Sequence, residues 1–182
     1  MRHLETHQLA APPLPDGQLA EAWRGYLACW AQGRRHDALS SANQFVDLLT
    51  AATSETFTTF AAWVCSTLFD DTDRWAGKWG GGMTLRDGRW ERPAEPALTV
   101  HPIATRVLLP YLINGLLNQH GRHLRWVYQF TVGQGYRLPP REQEHLTAAI
   151  EARCGPGAPP IALLHRADDA EARRMLRDAE AN

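Results

Sequence analysis

The chain has 182 residues, 44% of them hydrophobic and 21% charged, with a formal net charge of −1. A chain of this length buries roughly 70% of its unfolded surface, so it needs no disulfide or metal staple. The near-zero charge offers no basic field for nucleic acid or an anionic membrane, and it makes self-association cheap. Three cysteines, Cys29, Cys65 and Cys154, lie far apart without a CxxC pair, which excludes a disulfide framework and a zinc ribbon.

The first 17 residues read as a loose arm. Pro12, Pro13 and Pro15 block a helix there, and Asp16 is placed to cap the first helix. The arm has no apolar stretch of the kind a secretory signal needs, so a cytoplasmic location is expected. No apolar run approaches the ~20 residues of a membrane helix. Lys78 is the only lysine against many arginines, a coding bias expected of a GC-rich bacterium.

Residues 18–32 carry apolar side chains at Leu19, Ala22, Trp23, Tyr26, Leu27 and Trp30, a period that predicts a helix, with Gly33 as its stop. Residues 36–52 repeat the pattern through Ala38, Leu39, Ala42, Phe45, Leu48 and Leu49. Ser54 with Glu55 is expected to cap a third helix running to Phe69, with Phe57, Phe60, Ala61, Val64, Cys65 and Leu68 on one face.

Residues 70–100 break the helical rhythm and read as an insertion. Within it, "MTLRDGRWER" (83–92) predicts a short β-hairpin turning at Asp87-Gly88 and anchored by Leu85 and Trp90. Helices are expected again over 101–119 and 122–132, then from Pro139-Pro140 to about Arg153, and over 161–180 after the "CGPGAPP" break. His101 falls at the cap of the first of these and Pro102 at its first position. That helix looks apolar nearly all round, as a central core helix would. Pro110 must cost it the hydrogen bond to the Arg106 carbonyl, and Gly115 leaves room for a close neighbour. Gly121 is expected to end it. The sum is an all-α domain over 18–182, with six or seven helices in stacked antiparallel hairpins and one small β insertion.

The segment "LACWAQGRRHDALSSANQFVDLL" (27–49) resembles the helix–turn–helix of a tetratricopeptide (TPR) hairpin. Gly33 stands in the turn, "HDAL" opens the second helix with Ala38 at the small-residue position, and Leu48-Leu49 closes it. "DDAEARRML" (168–176) is similar to the way TPR helices begin. Phe45 departs from the family pattern, where a small residue is usual, and no 34-residue period recurs. The resemblance implies TPR-like hairpin stacking and binding of a protein or peptide, without catalysis.

Four groups of residues invite chemistry. His120 and His123 in "HGRH" could hold a metal if one helix carried both, but the break at Gly121 separates them and leaves His120 at a helix C-terminus. Asp70, Asp71 and Asp73 in "DDTDRW" resemble the start of the DDxxD diphosphate motif of isoprenoid synthases, but Arg74 occupies the fifth position, and they read instead as loop and cap residues. Trp75, Trp79 and Trp90 crowd the insertion and form a candidate partner surface, since tryptophan concentrates in binding hot spots; the alternative is a satellite core. Arg125, Trp126 and Tyr128 make a polar-aromatic edge beside the histidines. There is no GxSxG, no phosphate loop around Gly80-Gly81-Gly82, and no cysteine with a histidine context.

No cofactor is implied. The first expectation is a non-catalytic bacterial protein that binds another protein, as an adaptor or an inhibitor of immunity type. The alternatives are a small metal- or ligand-binding enzyme built on His101, His120, His123 and the three aspartates, or a structural subunit of a homo-oligomer.

Overall fold

A computed structural model of the chain describes residues 12–69, 84–86, 89–91, 101–118, 121–133, 138–168, 173 and 177. The fold is all-α. Helices α1 (Gln18–Ala31), α2 (Arg35–Ala51) and α3 (Ser54–Phe69) come first. Two three-residue strands come next, β1 (Thr84–Arg86) and β2 (Arg89–Glu91). A π-helical turn at Ala104–Leu108 then runs into α4 (Leu109–Leu117), with α5 (Gly121–Gly133), α6 (Pro140–Cys154) and α7 (162–168) after it. The strands pair antiparallel, with Leu85 opposite Trp90. The turn at Asp87-Gly88 lies outside the described residues, as do the 1–11 part of the arm and most of the insertion.

Residues 18–182, expected as one helical domain, divide into two compact units. The first comprises Met1–Asp70 with Val100–Tyr111, and the second comprises Asp71–Thr99 with Leu112–Asn182. In the first unit α1 and α2 pack along each other as a hairpin. A Schellman closure shapes its turn: the Gly33 N–H donates to the Trp30 carbonyl at 2.9 Å and the Arg34 N–H to the Cys29 carbonyl at 3.0 Å. This geometry puts Gly33 at φ 71°, a left-handed conformation that glycine adopts without a Cβ clash. The core of the unit is aromatic. Trp23 meets Tyr26, Phe45, Phe60 and Trp63, with ring centroids 5.1 to 6.1 Å apart. Such contacts add about 0.5–1.5 kcal/mol per pair beyond the area they bury. Ala38 and Ala42 are fully buried. Their small side chains bring the α2 backbone close to its neighbours.

Three local expectations change. Asp16 does not cap α1; Gly17 occupies the N-cap, makes no side-chain cap bond, and its carbonyl accepts the Glu21 N–H. Thr53, not Ser54, caps α3: its Oγ1 accepts the Thr56 N–H at 3.2 Å, because Ser54 is already the first helical residue. Gly121 does not end the helix before it but begins α5, while Asn118 folds its amide back onto the Asn114 carbonyl at 2.9 Å.

The helix that begins at Pro102 is not buried all round. Ile103, Val107, Leu108, Leu112 and Leu116 are buried, whereas Arg106, Pro110, Asn114 and Leu117 are exposed. These four are spaced at four, four and three residues, so they share one face. Pro110 acts through the turn before it. Its ring would crowd the Arg106 carbonyl in a regular α-helix, and it has no N–H to donate there. The backbone widens instead, and the Leu109 N–H bonds to the Ala104 carbonyl five residues back.

In the second unit the buried side chains include Leu124, Trp126, Val127 and Phe130 from α5, Leu146, Ala149 and Ile150 from α6, and Leu163 and Ala167 from α7. Pro140 opens α6 at its first position, as its fixed φ favours. An exposed pair, Arg125 to Asp168 at 2.8 Å, links α5 to α7. Surface pairs of this kind contribute about 0–1 kcal/mol.

Paired substitutions check the α3 cap. Thr53→Ala is expected to lower the unfolding free energy in urea by about 1 kcal/mol, and Ser54→Ala to change it by less than about half of that. Equal effects at the two positions would return the cap to Ser54.

Candidate functional site

Among the described residues His101 is the one polar side chain in the buried class, at 4% exposure. Two elements position it. As N-cap of the helix that begins at Pro102, its Nδ1 accepts the Ile103 N–H at 3.3 Å, and its carbonyl receives the N–H groups of Ala104 at 2.8 Å and Thr105 at 3.2 Å. Its Nε2 lies 3.1 Å from the Tyr26 hydroxyl, on α1 and 75 residues away in the chain. A backbone N–H only donates, so Nδ1 must be unprotonated. The proton therefore sits on Nε2, which donates to the Tyr26 oxygen. The two rings also meet edge to face, with centroids 5.7 Å apart. Burial pushes the imidazole pKa down from the ordinary 6.5 to about 3, so it is neutral across the physiological range.

The second cluster lies in the second unit. The His123 ring sits against the α-carbon of Gly115, where a methyl group would stand 2.7 Å from its Nε2 and closer still to the ring carbons. The ring also packs on Trp126, with centroids 5.1 Å apart at 60°. The Arg122 guanidinium covers the Trp126 ring at 5.0 Å from its centroid. The room at Gly115 is legible in the sequence, and His123 is the side chain that fills it.

Of the expected polar-aromatic edge, Arg125 is exposed and paired with Asp168, and Tyr128 is half-buried. Trp126 is 3% exposed, which corrects the reading of this residue as surface. It falls on the inward face of α5 with Val127 and Phe130, all within about one helical turn. His120, Asp70, Asp71, Asp73, Trp75 and Trp79 lie outside the described residues, as do the side chains of Leu85 and Trp90. Among the described residues no three His, Cys, Asp or Glu side chains come together to hold a metal ion. No described helix is long and apolar enough to cross a membrane. No protein-family model, curated protein or solved structure matches the chain.

The sequence does not pair Tyr26 with His101. The cap position of His101 is legible from Pro102, but its bond to α1 depends on tertiary packing.

Each cluster is open to a direct measurement. The unfolded His101 imidazole takes up a proton near pH 6.5, and the folded one only near 3. The stability it contributes is therefore complete above pH 6.5 and falls by about 1.4 kcal/mol per pH unit as the pH drops toward 3. His101→Gln keeps an amide donor and removes the titration. Urea unfolding between pH 6 and 4 is expected to show a flatter slope in the variant than in the wild type, and parallel slopes would disprove the buried neutral imidazole. At Gly115 the test is a double-mutant cycle. Gly115→Ala alone is expected to destabilise by about 1–3 kcal/mol through overpacking against the ring. In a His123→Ala background the same change is expected to stabilise by up to about 1 kcal/mol, through helix propensity alone.

Proposed function

We propose that the chain is a non-catalytic, cytosolic bacterial protein that binds another protein, with the α1–α2 hairpin as its rigid frame and the Trp-rich stretch around residues 70–95 as its contact element. The observation that carries this reading is the hairpin itself. A Schellman turn closes it, the Trp23 cluster fixes it from within, and its outer positions, among them Arg24, Arg35, Asn43 and Asp47, are polar and exposed. A stiff helical pair with a polar outer face binds without reorganising itself, which lowers the entropic cost of association. The TPR-like residues fall in this same hairpin and point the same way.

The engagement of His101 also favours binding over catalysis. This histidine, drawn into the enzyme alternative with His120, His123 and the aspartates, uses one ring nitrogen on a helix cap and the other on Tyr26. An inhibitor or immunity-type protein that blocks one enzyme or toxin is a narrower form of the same proposal.

The test is a pull-down from native lysate with the purified chain as bait, read by mass spectrometry and completed by calorimetry of the purified pair. One near-stoichiometric protein is expected, forming a binary complex weakened roughly tenfold or more by Trp79→Ala with Trp90→Ala. A blank would overturn the binding reading. A partner held equally by the double variant would remove the tryptophans from its surface.

A further inference from the structure

We draw no further inference here: the strongest candidate, the exposed apolar side chains of Leu117 at the end of α4 and Ile161 before α7, carries nothing because nothing in the structure shows what covers them.

Discussion

A neutral imidazole joins the start of one helix to the middle of another. Nδ1 of His101 accepts the Ile103 N–H as a cap, which commits Nε2–H to the Tyr26 oxygen on α1. The two bonds depend on each other, because only one tautomer satisfies both. Protonation would put a second donor at Nδ1, facing the N–H it now accepts. Burial opposes this by excluding water: His101 is itself buried, its partner Tyr26 is fully buried, and Trp23 packs beside Tyr26. A buried polar pair costs little when every bond is made and much when one is lost, so it favours a single arrangement of α1 against the helix from Pro102.

That helix resolves a conflict written in its own sequence. Ile103, Val107 and Leu108 demand burial on one side, while Pro110 forbids a regular α turn through these same positions. A π turn accommodates both demands. It spares the proline ring its clash and keeps the apolar side chains of Ala104, Val107 and Leu108 in the core. The added width leaves Arg106 on the outside, where it reaches Asp47 of α2 at 2.6 Å. Both partners are substantially exposed, so the pair contributes little to stability next to the aromatic core.

Helices α1, α2 and α3 are legible in the sequence to within a residue, because Trp23, Tyr26, Phe45 and Phe60 fall on strong helical periods and Gly33 marks the turn. The features that escape depend on geometry finer than a period. Thr53 and Ser54 are both good caps by type, and only the backbone at the boundary decides between them. Trp126 reads as an edge residue because Arg125 precedes it and Tyr128 follows two positions on, yet a helix turns each residue by about 100°, so residues one or two apart face different ways. The Tyr26–His101 pair is invisible in the chain, since nothing local connects positions 75 residues apart.

The candidate chemistry is the least legible part, for a related reason. A histidine in a sequence is equally a ligand, a base, a cap or a packing element, and its neighbours in space select among these. His101 is a cap because Pro102 starts a helix beside it and Tyr26 meets its far nitrogen. His123 is a packing element because Gly115 offers no side chain and Trp126 offers a ring face. Both histidines thus hold helices in place, each by a different interaction.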